Sequence, residues 1–171
     1  MRVGEENDGW RMFTSQINRE RVALAPSAEM FRTLDTVVEW AKSTTRSDGT
    51  RVADVDWIAM ALGRMRAKIE VARLFNWRMA WHTEIGGINP AEASVMKVYV
   101  TELEGELQRT LLNIVGAEGI IPVGTQGAVL DGLLEQGYRG PALINTFGGG
   151  TNEIQREIIA TSGLHTPRAP R

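Results

Sequence analysis

Cysteine is absent from the 171 residues, and histidine occurs only twice, at His82 and His165. Disulfides and thiolate-bound metals are thereby excluded. Two distant histidines with no carboxylate at ligand spacing make no metal site. Charge of one sign is lacking too. The 19 basic and 21 acidic residues leave a net charge of −2, no broad footprint for nucleic acid or an anionic membrane. No apolar run is long enough to span a bilayer, and the segment Met1–Trp10 is acidic and polar, unlike a secretory signal. These absences lead to the expectation of a cytoplasmic protein. Strand-type alternation and internal repeats are missing as well.

What is present is helical. Hydrophobic residues at 43% and charged residues at 23% suit one globular domain able to bury a substantial core. Trp10, Phe13 and Ile17 fall at helical spacing. Pro26, with Ser27 beside it, should kink that helix or begin a new one. Leu34, Val37, Val38 and Ala41 carry the apolar stripe to about Lys42. A polar break over Ser43–Gly49 precedes a long element starting near Asp54 or Asp56, either able to cap. Its stripe is Ile58, Leu62, Met65, Ile69, Ala72 and Met79, and Gly86-Gly87 ends it.

Asn89-Pro90-Ala91-Glu92 is a strong start signal: an N-cap, Pro at N1 and Glu at N3 for a capping box. Met96, Val100, Leu103, Leu107, Leu111 and Ile114 line the helix that follows, which stops at Gly116. A looser stretch from Ala117 to Gly127 leads to a shorter apolar run at Val129, Leu130, Leu133 and Leu134. The expectation is an all-α fold, an antiparallel up-down four-helix bundle over residues 10–163. Residues 1–9 read as a linker and 164–171 as a mobile tail. Trp40, Trp57, Phe75, Trp77 and Trp81 exceed what narrow stripes need. Some should enter the core, and the excess predicts an oligomer interface or a face that another domain covers.

The stretch around which the chain is organised is Thr146-Phe147-Gly148-Gly149-Gly150-Thr151-Asn152-Glu153-Ile154-Gln155-Arg156. Three glycines permit positive φ and close approach of another group. Thr151 suits an N-cap, Glu153 sits in the first turn, and Ile154, Ile158 and Ile159 give an apolar face. The helix should run from Thr151 to about Ser162. A glycine run feeding a helix N-terminus suits an anionic or carbonyl ligand, although most such runs are only turns.

This string resembles the signature that closes the C-terminal helical domain of acyl-CoA dehydrogenases. Glu70-Val71-Ala72-Arg73-Leu74 is similar to the family's Glu-x-Ala-Arg helix, and Ala93-Ser94-Val95-Met96-Lys97 to its Ala-x-Met-x-Lys stretch. Order and spacing together cover nearly the whole chain. The resemblance implies that residues 1–9 lead out of a preceding domain, with an N-terminal helical and a middle β-domain completing such an enzyme. It also implies acyl-CoA as substrate, FAD as cofactor and no metal.

In that family a carboxylate removes the α-proton of an acyl-CoA thioester while a hydride leaves the β-carbon for the flavin. Hydrogen bonds to the thioester oxygen stabilise the charge that develops there. Many members place the base directly before the signature Gly-Thr, a position held here by Gly149. Isovaleryl- and long-chain-type members place it in the first helix before an Arg, as in Glu20-Arg21-Val22. The resemblance therefore implies Glu20 as base and the Gly149 amide as oxyanion donor. Charge pattern alone reads Glu20 as one member of a solvated Arg19-Glu20-Arg21 face.

Thr151 and Glu153 match flavin-contacting positions of the signature. Arg46 stands where the family has an Arg-x-x-x-Phe-Gly turn, here shorter and without the Phe. Asn113 and Gly116 fall in the Gln-x-x-Gly-Gly-x-Gly region, where Glu118 would repel a pyrophosphate. Such departures resemble the mixed acyl-CoA dehydrogenases of actinobacterial lipid and steroid side-chain oxidation, built from two different subunits. The implied partner is a second copy or another acyl-CoA dehydrogenase subunit. By itself the chain is expected to hold no flavin and to show no turnover. A non-catalytic partner subunit and a stand-alone helical interaction module remain the alternative readings.

Overall fold

The computed structural model describes residues 3–23 and 27–167. Seven α-helical segments occur among them: α1 (Gly9–Ala23), α2 (Ser27–Ser43), α3 (Asp56–Ile85), α4 (Pro90–Val115), α5 (Leu133–Arg139), α6 (Pro141–Ile144) and α7 (Asn152–Ile158). Their one extended pairing is a single antiparallel bridge between Thr45 and Arg51. The fold is the all-helical bundle that the periodicity predicts.

α4 is the central element. It packs against α1, α2, α3, α5, α6 and α7. The stripes expected of α3 and α4 are its core: all six residues predicted on each helix are buried. On α2, Leu34, Val37 and Ala41 are buried together with Met30. Three long helices thus close one apolar centre, each contributing residues three and four apart.

Helix ends follow their local chemistry, with two corrections. Asn89 caps α4, its Oδ1 accepting from the Ala91 amide at 2.8 Å, with Pro90 in the first turn. Glu92 forms no part of the expected capping box described here but turns back to α3. It pairs with Arg78, and its Oε2 lies 2.7 Å from His82 Nε2. Neither Asp54 nor Asp56 caps α3. Val55 holds that position without a side-chain bond, and Asp54 pairs with Arg51 at 2.8 Å. The α2 N-terminus is capped from α3 instead, the Ser27 amide donating to Asn76 Oδ1 at 3.1 Å. The expected break at Pro26 lies outside the described residues, as does the end of the tail over 168–171.

Two expectations about apolar surfaces change. Trp10 and Phe13 on α1 are exposed, their tilted rings 5.8 Å apart, and of the three only Ile17 is half-buried. α1 reaches the body along its α4 side, leaving the two rings outside that contact. α7 ends at Ile158 and widens into a π-helical turn over Ile159–Gly163. Its inward residues are the polar Asn152 and Gln155, while Ile154 is exposed. Of the additional aromatics, Trp40 and Phe75 pack on the core, Phe75 meeting Tyr99 at 5.4 Å. Trp57, Trp77 and Trp81 stand exposed on α3. The described helices include none long and apolar enough to cross a membrane.

Candidate functional site

The glycine turn is built by local hydrogen bonds. The amides of Phe147 and Gly148 donate back to Ile144 O at 3.2 and 2.9 Å, which continues the end of α6. Gly150 N then donates to Phe147 O at 3.2 Å, and Asn152 N to Thr146 O at 3.1 Å. Gly149 and Gly150 adopt φ of 67° and 98°, which a side chain at either position would strain. The backbone of the turn therefore favours glycine at Gly149 and Gly150, while a Cβ at Gly148 would press on Ile144 O at 3.3 Å. Thr151 caps α7, Oγ1 accepting from the Ile154 amide at 3.4 Å. Glu153 is exposed, and its own backbone N–H, then the Thr151 hydroxyl, hold its carboxyl below the ordinary range.

A row of buried polar side chains on α4 grips the inner side of this turn. Ser94, Lys97 and Thr101 are each fully buried. The Lys97 ammonium donates to Thr146 O at 3.0 Å and to Asn152 Oδ1 at 2.7 Å. Asn152 Nδ2 donates to Thr101 Oγ1 at 3.2 Å and to Glu102 Oε1 at 3.4 Å. Gln155 accepts from Ser94 Oγ at 2.8 Å and donates to the carbonyls of Gly149 and Gly150, each at 3.3 Å. Arg156 closes the outer edge on Glu102 at 2.6 Å. Burying an ammonium and two amides is costly unless each is hydrogen-bonded, and here the partners include the turn carbonyls of Thr146, Gly149 and Gly150 and the α4 side chains of Ser94, Thr101 and Glu102. The Asn-Glu-Ile-Gln-Arg order thus has a structural cause. Asn152 and Gln155 lie three residues apart on the inner face, and Arg156 reaches across.

The outer side of the turn borders a groove of about 600 Å³ between α4, α5–α6 and the start of α7. Phe147, Tyr138 and Arg109 line it together with Thr151 and Glu153. At the C-terminal end of α4, a second recess of about 530 Å³ has Trp40 and Trp57 among its walls and Arg46 and Glu118 on its lining. Arg46 sits in a tight turn closed by its amide to Thr50 O at 2.9 Å, and its side chain is exposed. Gly116 ends α4 with φ of 86°, and Asn113 is exposed one turn earlier.

The candidates thus fall into separate places. Arg46, Asn113 and Gly116 gather at the end of α4, while Thr151 and Glu153 lie beside its middle. Asn152 meets α4 at Thr101, about twelve residues before Asn113, which is roughly 18 Å along the helix axis. Glu20 is exposed near the end of α1, and α1 and α7 both pack on α4. Thr151 gives the groove by the turn a hydroxyl, and Trp40 and Trp57 give the recess at the end of α4 flat indole walls. Glu118 beside Arg46 opposes a phosphate there.

In the sequence Lys97 stands only within a motif, and no local pattern marks a task for Asn152 or Gln155. The available signal was a polar row, Ser94, Lys97, Thr101 and Gln108, inside the apolar face of α4. All four are buried. The described residues hold no group of three or more potential metal ligands.

A carboxyl away from the turn offers a test of burial. Glu104 lies in a recess of about 470 Å³ between α2, α4 and α5. Burial lifts its carboxyl above the ordinary value, opposed by Asn145 Nδ2 at 2.9 Å and reinforced by Glu29. A carboxyl raised on folding contributes stability below its unfolded value and loses it as pH rises through the folded value. Glu104→Gln keeps an oxygen for Asn145 without the charge. The variant should melt above the parent at neutral pH, and the gain should vanish at acid pH. Thermal melts across pH check this, and a gain that persists in acid contradicts the burial account.

Comparison with known proteins places this geometry. Residues 7–164 match the family model described as the acyl-CoA dehydrogenase C-terminal domain. The acyl-CoA dehydrogenase FadE26 of Mycobacterium tuberculosis is 45% identical over 99% of this chain and 43% of its own length. The crystal structure of the ChsE4–ChsE5 complex from Mycobacterium tuberculosis superposes with a TM-score of 0.89 at 46% identity, covering 99% of this chain and 43% of that one. The Tcur3481–Tcur3483 steroid ACAD does so at 0.88 and 42%, covering 98% and 42%. The chain thus spans under half the length of these relatives. With its helical bundle, its glycine turn and the buried polar grip beneath it, the chain belongs to the acyl-CoA dehydrogenase family and corresponds to that family's C-terminal domain.

Proposed function

We propose that this domain serves in the α,β-dehydrogenation of an acyl-CoA thioester, within an assembly that includes another acyl-CoA dehydrogenase subunit. The observation that carries the reading is the glycine turn clamped at the signature, with no carboxylate at Gly149 and one at Glu20. In this reading Glu20 takes the α-proton, and the backbone N–H of Gly149 faces the thioester oxygen as negative charge develops there. Glycine keeps that N–H while leaving the site open to the thioester. FAD, if bound, would supply the hydride acceptor that loss of a hydride from the β-carbon requires. Arg46, Asn113, Gly116, Thr151 and Glu153 are the residues assigned to it.

The nature of the partner is suggested by relatives whose structures are of two-component complexes, ChsE4–ChsE5 and Tcur3481–Tcur3483. The exposed face of α3 supplies the surface. Trp57, Met60, Val71, Leu74, Trp81 and Ile85 recur along one side of the helix at steps built from threes and fours, a face that is exposed among the described residues. A bulky polycyclic acyl group is the substrate class suggested by the steroid ACAD likeness.

Co-expression with an intact acyl-CoA dehydrogenase subunit tests the reading. The expected result is a yellow complex whose flavin absorbance bleaches on addition of acyl-CoA, with the purified chain alone colourless and inactive. A complex that forms but never bleaches with any acyl-CoA favours the non-catalytic partner subunit. Failure to form any complex favours the stand-alone interaction module.

A further inference from the structure

Lys97 follows Met96 and lies one turn before Val100, both of them core residues of α4, and its own side chain is fully buried. A charged side chain on such a row must be held by oxygens, and two that reach it belong to one loop. Its ammonium lies 3.0 Å from the carbonyl of Thr146, before the glycines, and 2.7 Å from Oδ1 of Asn152, after them. Asn152 N also donates to Thr146 O at 3.1 Å, so the loop closes on the point the ammonium grips. Gln155 draws in the carbonyls of Gly149 and Gly150 from the same side. Glycine is the residue that least resists rearrangement, so a turn of three needs such outside restraint to keep one geometry.

We propose that Lys97 is a positioning residue, whose ammonium clasps both ends of the glycine turn and so sets where Gly149 presents its backbone to substrate. The proposal rests on the reading of Gly149 as the thioester-facing position. Lys97 touches neither substrate nor cofactor in this role, and its effect passes through Thr146 and Asn152. Its reach to Asn152 also anchors the first residue of α7, so the helix start and the turn move together.

The test has two readouts. In this chain, Lys97→Met should speed amide hydrogen exchange at Gly148, Gly149 and Gly150, on the order of tenfold or more, with distant α2 and α3 amides unchanged. In the complete flavin-loaded assembly, the same variant should lower kcat on the order of 10–100-fold with KM within about twofold, as small misplacements of a reacting group do. Lys97→Gln, a neutral donor, should lie between the parent and Lys97→Met in both, and decides the matter if Lys97→Met does not fold. Unchanged glycine exchange overturns the clasp. Faster exchange with unchanged kcat per folded, flavin-loaded site overturns the positioning role and leaves a structural lysine. Failure of the underlying reading shows separately, as normal turnover of Glu20→Gln.

Discussion

Glu20→Gln, placed in a complete flavin-loaded assembly, is expected to lose nearly all turnover while acyl-CoA binding stays largely intact. A thioester α-proton is weakly acidic, and a positioned carboxylate contributes on the order of 10²–10⁴-fold to its removal. Glutamine keeps the size and the hydrogen-bonding oxygen but cannot accept the proton, so the loss falls on kcat more than on KM. Glu20 suits the task in being solvent-facing in the domain alone, where the substrate and the rest of the enzyme can reach it. The second arm concerns Gly149. Introducing Gly149→Glu into the Glu20→Gln background should restore part of the activity by placing a base in the turn. The restoration stays partial because Gly149 has φ of 67°, and a side chain there strains the turn by roughly 1 kcal/mol. Steady-state kinetics with single-turnover flavin bleaching separates binding from chemistry. If Glu20→Gln turns over normally, the chain is better read as the non-catalytic subunit.

The other large effect is on assembly. α3 carries exposed apolar side chains from Trp57 to Ile85, about 42 Å of helix at 1.5 Å per residue. Trp81 is 58% exposed, Leu74 64% and Met60 75%, and only the helix's other face reaches the core. Two arginines fall within the same row, Arg64 and Arg78, and each is already paired, with Glu106 and Glu92. The row is thus apolar with its charges internally satisfied, which lowers the cost of covering it. The purified chain is expected to self-associate at micromolar concentration. Leu74→Glu combined with Trp81→Glu should convert it to monomer while the helical circular dichroism and melting transition persist. Sedimentation velocity on parent and variant decides. A parent that is already a clean monomer removes the argument that this face awaits a neighbour.

The reasons for success and failure of the sequence reading differ by element. The inner faces of α3 and α4 were legible because a side chain's direction on a helix depends on local geometry alone, and long helices repeat the signal many times. Asn89-Pro90 marked the start of α4 and Gly116 its end for the same reason: caps satisfy backbone groups within one turn. α1 and α7 are less legible. Trp10 and Phe13 have the spacing of a core stripe, yet whether a stripe is covered depends on what packs against it. The isoleucines of α7 likewise suggested an apolar inner face, whereas the structure turns Asn152 and Gln155 inward.

By itself the sequence determined the helical class, the glycine turn and the family, since periodicity, backbone freedom and motif order all reside in the chain's local chemistry. Tertiary structure decided which polar residues matter around that turn. Lys97 meets Asn152 across 55 residues and Ser94 meets Gln155 across 61, contacts no local pattern encodes. It also decided which of the tryptophans enter the core and which remain on the surface of α3. Both outcomes have one physical cause. Burial is a property of neighbours, and a buried amide or ammonium is tolerated only where distant oxygens and donors arrive to satisfy it.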